Sequence, residues 1–405
     1  MAIPERNIRD DPPIAMKTSI LFFSVFAAIA AMAHAGNPDG FKELAIGDPA
    51  PDFRLIGIDG KFMELGDFGE ARVLAVAFTS NHCPTSNAAF PRLIRLYHEM
   101  KDRGFKVVAV NPNHPDGLRP DELGFSLYGD SYEEMKDHAR DMRFPFPYLY
   151  DGETQATAMA YGCLATPHIF VFDEERKLRY KGRIDNSRFA GDGHVKSPDL
   201  ANAVAALLDG KPVPVAETPP IGCSTKWRTK KVQMPEDDKK WASLPVSIEP
   251  IDAAGVAALR ANATGKYRLI NVWSTTCAPC VEEFPGLVRV ARRMGLRSYE
   301  MVTISTDAPG DAEKAAAFLR KFHAGLPGHL RAGLEKEGRK TNSYIYSRAD
   351  IEPLVKALDP EWAGLQPHTV LIKPGGEIAF RHTGMITEQE LLEKVLEAMG
   401  RHYQP

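Results

Sequence analysis

Neither sign of charge predominates in this chain of 405 residues, where 50 Lys+Arg stand against 53 Asp+Glu. Without a basic excess, nucleic acid is excluded as a partner class. Cysteine is sparse, with five in the whole sequence. There is one Cys-x-x-Cys and no second such pair, nor a His pair at ligand spacing, so structural zinc lacks its other two ligands. A c-type haem site would need His after the second Cys of that pair, and Val281 stands there. The sequence therefore calls for no metal and no cofactor. A long apolar run is missing too, because the stretch Ile20 to Met32 is short for a membrane span.

What is present is Cys277-Ala278-Pro279-Cys280, after the apolar run Leu269 to Trp273 and before an amphipathic stretch. A helix starting near Cys277 sets that thiol against unpaired backbone N–H groups and the positive end of the macrodipole. Both favour the thiolate, which is the nucleophile. Cys280, one turn on, is placed to close a disulfide and expel a bound partner. Pro279 fits the first helical turn, where its missing N–H costs nothing. A plain structural disulfide is the alternative reading of the pair.

The N-terminus reads as a targeting signal over residues 1–35. From Met16, Lys17 supplies positive charge, the apolar stretch follows, and Ala33-His34-Ala35 fits a cleavage site. The residues before Met16 do not resemble a signal n-region, which makes Met16 the expected start. No Cys stands at the cleavage point to carry a lipid. The mature chain is expected in an export compartment, where disulfides persist, with no stable membrane span after cleavage. Besides the Cys277/Cys280 pair, Cys83, Cys163 and Cys223 remain, which permits three single pairings with one thiol left over.

At this length two domains are the default, and the chain repeats one pattern. In the first half, strand Val73 to Phe78 leads to a loop holding Cys83, then a helix with Phe90, Leu93, Ile94 and Tyr97 on one face. Strand Val107 to Val110, Thr166-Pro167-His168, strand Ile169 to Phe172 and strand Leu178 to Tyr180 follow. In the second half, strand Leu269 to Trp273 runs into Cys277 and a helix with Phe284, Leu287, Val288 and Ala291 on one face. Strand Met301 to Thr306, Gln366-Pro367-His368 and strands Val370 to Ile372 and Ile378 to Phe380 come next. The last helix opens on a capping box, Thr387 with Glu390, and stops at Gly400. This order implies an α/β fold, a mixed central sheet covered by helices on both faces in each half. Boundaries fall at 42–228 and 244–405, with 229–243 as a linker rich in charge. His168 and His368 are read as packing or surface residues rather than ligands.

These motifs resemble the thioredoxin superfamily in both halves, so that two tandem thioredoxin-like domains are expected. The second half is similar to exported thiol-disulfide reductases of the TlpA/ResA type, through Asn271-Val272-Trp273, the CAPC motif, Glu283-Phe284-Pro285 and Pro367 before a strand. The resemblance makes Pro367 a cis proline against the active-site sulfurs, freeing the backbone of Gln366 to pair with a substrate strand. It places Trp273, Gln366 and Pro367 at the docking site. Asn271 stands where cytoplasmic thioredoxins carry an acid, so the proton acceptor for Cys280 must come from elsewhere. Glu283 matches an active-site glutamate of the ResA type, and a carboxylate half-buried there would have a raised pKa suited to a general base. Thr276 departs from the Trp frequent in the family.

The first half resembles the AhpC/TSA redoxins, specifically an exported peroxiredoxin-like subgroup. The shared features are Gly47-Asp48-Pro49-Ala50-Pro51-Asp52-Phe53, His82-Cys83-Pro84, Asn111-Pro112-Asn113, Thr166-Pro167, Gly182-Arg183-Ile184-Asp185 and Gly222-Cys223-Ser224-Thr225-Lys226-Trp227. A peroxiredoxin site has Thr or Ser three before the Cys, and Ser80 is there. Val76 stands where its proline belongs, and no Arg is placed by motif. The resemblance therefore implies a redox-active Cys83 with Thr166 and Pro167 at a docking position, and leaves peroxidase activity as the rival reading. The resolving thiol is expected to be Cys163, with Cys223 as the rival. The implied partners are protein thiols and disulfides and a membrane or periplasmic electron donor, with peroxide in the rival reading.

Overall fold

Runs of apolar residues that are buried on both faces set the two central strands, and the rest of the chain is layered against them. A computed structural model describes residues 37–405, apart from the side chains of residues 231 and 232. The signal segment at 1–35, the start at Met16 and the cut after Ala35 lie outside the described residues. Residues 40–405 form one compact unit that contains both halves.

The first half is a seven-stranded sheet in the order β2-β1-β5-β4-β3-β7-β8. These strands are β1 (Arg54–Gly57), β2 (Phe62–Glu64), β3 (Val73–Phe78), β4 (Phe105–Asn111), β5 (Tyr148–Tyr150), β7 (His168–Phe172) and β8 (Leu178–Gly182). All six residues of β3 are buried, as expected of a strand with helices over both faces. It runs parallel to β4 and antiparallel to β7, so the sheet is mixed. Helices α1 (Pro84–Met100), α2 (Tyr132–Met142), α3 (Ala156–Tyr161) and α4 (Asp199–Leu208) complete the layers. A separate two-stranded ladder joins β6 (Ala165–Thr166) to β9 (Cys223–Ser224).

The second half is a six-stranded sheet ordered β10-β13-β12-β11-β14-β15. Its strands are β10 (Glu249–Ile251), β11 (Tyr267–Trp273), β12 (Tyr299–Ser305), β13 (Ser343–Tyr346), β14 (His368–Ile372) and β15 (Ile378–Thr383). The segment read as a linker is itself largely helical, ending in α5 (Met234–Ala242). Beyond it lie α6 (Ala253–Ala261), α7 (Ala278–Arg293), α8 (Ala312–Lys321), α9 (Gly328–Lys336), α10 (Glu352–Leu358) and α11 (Glu388–Met399). Thr387 caps α11 with the expected box, and Gly400 closes it at φ +76°. The central β11 is parallel to β12 and antiparallel to β14. Each half thus has the mixed, helix-covered sheet that its sequence pattern implies.

The halves meet at the C-terminal end of α7. Arg293 donates to the carbonyl oxygen of Ser126 at 2.9 Å, and Arg297 donates to that of Gly124 at 2.6 Å. A Cβ on Gly124 would lie 2.7 Å from the Arg293 carbonyl oxygen, so only glycine allows this approach. Arg297 also donates to the carbonyls of Met399 and Gly400 and lies 3.9 Å over the Phe125 ring. One guanidinium therefore ties a loop of the first half to the end of α11. Arg297→Ala leaves these part-buried carbonyls without their donor and is expected to cost about 1–3 kcal/mol, read as a lower urea midpoint of unfolding.

Candidate functional site

In both halves a buried strand ends in a loop whose cysteine becomes the N-cap of the next helix. In the second half Cys277 caps α7, and its sulfur accepts from the backbone N–H of Cys280 at 3.3 Å. Pro279 lies in the first turn, where no N–H is needed. Cys277 and Cys280 are joined as a disulfide. Cys277 is half-buried and Cys280 fully buried, so the first sulfur can be reached from solvent and the second cannot.

One turn beyond Cys280, Glu283 is only 4% exposed. Its Oε1 accepts from Asn271 Nδ2 at 2.9 Å and its Oε2 from the Ile386 N–H at 3.0 Å. Burial outweighs these two donors and pushes the carboxyl up to about 7. Asn271 therefore holds the glutamate in place rather than taking the proton itself. Gln366–Pro367 is a cis peptide. Gln366 is half-exposed and donates through Nε2 to Thr306 Oγ1 at 2.7 Å. No strand pairs with Gln366 among the described residues. Leu365 is 67% exposed and Met385 45% exposed, and the nearby Gly384 N–H donates to the Pro367 carbonyl. Trp273, expected at the docking surface, is fully buried instead. It stacks on Phe318 at 4.4 Å and packs on Phe284, so it shapes the core under the site and cannot touch a partner.

In the first half Cys83 caps α1 and is fully buried. Thr166–Pro167 is likewise cis. The Cys83 sulfur lies 3.1 Å from the Thr166 carbonyl oxygen, which accepts from it when it is protonated. Ser80 Oγ is paired with Thr166 Oγ1 at 2.9 Å. Burial opposes ionisation of Cys83, but the Cys223 thiol, the charge on His82 and the backbone N–H groups of Ser86 and Cys223 override it and hold Cys83 well below its ordinary range. Cys223 is pushed the other way, chiefly as the donor to Cys83 and further by burial.

Asp130 anchors this electrostatic arrangement. Its Oδ2 accepts from His82 Nδ1 at 2.6 Å and Asn113 Nδ2 at 2.8 Å, and its Oδ1 from the Asn81 N–H at 2.7 Å. Burial favours neutral His82, yet Asp130 raises it above its ordinary range. Burial likewise opposes the Asp130 charge, and the His82 charge with these donors keeps the carboxyl low. Sequence reasoning singled out His82 and missed Asp130, which arrives from a loop with no periodic signal of its own.

Cys163, the expected resolving thiol, does not meet Cys83. It points into the core, where its neighbours are the Ala165 carbonyl and Thr225 Oγ1, and burial pushes it up to about 12. The thiol beside Cys83 is that of Cys223, carried by β9 opposite Thr166. Thr166 and Pro167 are buried, so neither presents the open docking surface expected of them. His168 and His368 are both buried, against Phe170 and Trp362.

Residues 46–181 match the AhpC/TSA family. The thiol-disulfide oxidoreductase ResA of Oceanobacillus iheyensis is 30% identical over 143 residues, covering 34% of this chain and 66% of its own length. Thyroxine 5-deiodinase of Gallus gallus is 27% identical over 184 residues, covering 43% of this chain and 70% of its own. A solved hypothetical protein from Sinorhizobium meliloti 1021 is 34% identical with a TM-score of 0.41, covering 46% of this chain and 97% of that one.

The Glu283 carboxyl allows a test by pH. The folded protein binds its proton more tightly than the unfolded chain, so ionising it costs stability. That stability is complete below the ordinary glutamate value of 4.5 and is lost as pH rises through about 7. Glu283→Gln is therefore expected to gain stability over the native protein between about pH 5 and about pH 8, by at most about 3 kcal/mol. Denaturant titrations at the two pH values measure it.

Proposed function

We propose that this chain, which carries an AhpC/TSA redoxin domain and counts ResA among its homologues, is a thiol-disulfide oxidoreductase working through Cys277 and Cys280. The observation that carries the reading is the division of labour in the CAPC site. One sulfur is reachable at a helix N-terminus, and the other is buried one turn from a carboxyl poised near neutral pH.

In the reduced form the Cys277 thiolate attacks a partner disulfide, bonds to one sulfur and releases the other as a thiolate. Glu283 takes the proton of Cys280, whose sulfur then attacks Cys277, and the partner leaves as a thiol. The pair ends as the disulfide present in the structure, and a donor dithiol must restore it. Gln366 offers main-chain groups to an extended partner segment, and exposed Leu365 and Met385 offer apolar contact beside it. Protein disulfides are the substrate class that suits this rim. The reducing direction, export and a periplasmic or membrane-bound donor belong to this reading, supported by the resemblance to ResA-type proteins and the signal-like N-terminus. Among the described residues no helix is long and apolar enough to cross a membrane.

Cys280→Ser removes the resolving sulfur and is expected to accumulate mixed disulfides on Cys277 in cells, identified by mass spectrometry after non-reducing separation. Recovery of only abundant, unrelated thiol proteins would sink the dedicated exchange role.

The first half supports a second redox centre made of Cys83 and Cys223. A thiolate buried beyond the reach of large partners favours a small oxidant, which keeps peroxide reduction as a second reading. There Cys83 would attack a hydroperoxide oxygen, releasing water or an alcohol and leaving a sulfenic acid. Cys223 would displace water from it and close the disulfide. Reduced protein is then expected to consume peroxide at a rate that Cys83→Ser abolishes. An unchanged rate in that variant refutes the peroxidase reading.

A further inference from the structure

The two cis-proline edges are in opposite states. In the second half the edge at Gln366 is open. In the first half Ala165 and Thr166 are paired with Ser224 and Cys223 in antiparallel register. That is the place an incoming partner strand would take beside the reactive sulfur, with the partner's cysteine at the position of Cys223. The fit is close at the backbone, since a Cβ on Gly222 would lie 2.0 Å from the Thr166 carbonyl oxygen. The ladder continues beyond these two pairs, and further contacts hold the chain that follows. Thr225 donates to the carbonyls of Leu164 and Cys163, and Lys226 accepts from the His114 N–H and donates its own N–H to Asn113 Oδ1. Lys226 Nζ is paired with Glu122 at 2.6 Å, and Trp227 is buried against Phe41.

A second element near this edge comes from the other half. Beyond α11 the chain crosses to the first half, where the Tyr403 ring lies 4.9 Å from Phe125 and 4.0 Å under the Arg188 guanidinium. Burial, and then the negative charge of the Cys83–Cys223 pair, raise the Tyr403 phenol above its ordinary range.

We propose that the first half carries its own substrate strand: Gly222–Thr225 fill the docking edge beside Cys83, with the C-terminal tail packed nearby against Phe125 and Arg188. This closes Cys83 to protein disulfides while admitting small ones. The inference rests on the reading of Cys83 as redox-active and adds a selectivity opposite to that of Cys277. With a low-molecular-weight disulfide, the Cys83 thiolate bonds to one sulfur and expels a thiolate, which takes the Cys223 proton. The Cys223 sulfur then bonds to Cys83 and expels the second thiolate, so two electrons pass from the pair to the small disulfide.

The test uses the full chain with Cys277→Ser and Cys280→Ser, reduced and then exposed to glutathione disulfide or to a scrambled disulfide protein. Loss of free Cys83 is followed by mass spectrometry. Each rate is divided by that of Cys277 with the same reagent, measured in the chain carrying Cys83→Ser and Cys280→Ser. The normalised rate of Cys83 is expected to be about a hundredfold lower with the protein disulfide than with glutathione disulfide. Gly222→Val, which forces the strand off Thr166, and removal of residues 401–405 are each expected to narrow that gap at least about tenfold. Because Gly222→Val risks misfolding, the tail deletion and the comparison in the otherwise native chain each stand as tests of their own. Equal normalised rates in the chain with its strand and tail intact would overturn the occupied edge while leaving Cys83 redox-active. Silence toward both reagents in every variant would instead overturn the redox reading of Cys83, and this proposal with it.

Discussion

Cys83 and Cys277 each sit where a buried strand ends and a helix begins, and that junction constrains everything around it. The helix N-terminus supplies free N–H groups and a positive potential, which favour the thiolate. The surrounding core opposes any charge. Neighbouring side chains decide the outcome. Around Cys83 they are a charged His82 held by buried Asp130 and a thiol donor from Cys223. Around Cys280 the burden falls on Glu283, which burial leaves near neutrality and Asn271 keeps oriented.

The same junction serves two kinds of access. In the second half Cys277 is half-buried, the edge at Gln366 is unpaired among the described residues, and Leu365 and Met385 beside the cis proline are exposed. In the first half the corresponding edge is spent on the chain's own strand, and Cys83 has no exposure left. Divergence between the halves therefore lies less in the sheet than in what borders each cis proline.

Much of this was legible in the sequence because it is local. The apolar strand before each cysteine, the helix faces around Phe90 and Phe284, and the capping box at Thr387 follow from short-range pattern and chemistry. The choice between Cys163 and Cys223 did not, because it depends on a two-residue ladder between segments far apart in the chain. Closeness to Pro167 in sequence favoured Cys163, whereas the fold turns that side chain into the core. Trp273 misled for a related reason. Strand alternation puts it on the face under α7, packed on Phe284, rather than at the rim. Asp130 was invisible because a loop aspartate carries no pattern until its three donors are assembled around it.

Helix α7 has its active cysteine at one end and its contact with the first half at the other. Sixteen residues at 1.5 Å each make it about 24 Å long. Disulfide exchange needs sulfurs in bonding contact, and a helix of that length holds Cys277 far from the Arg293–Ser126 contact at its other end. On the reading proposed above, the two couples can stand at different potentials in a single chain, each in balance with its own pool of thiols.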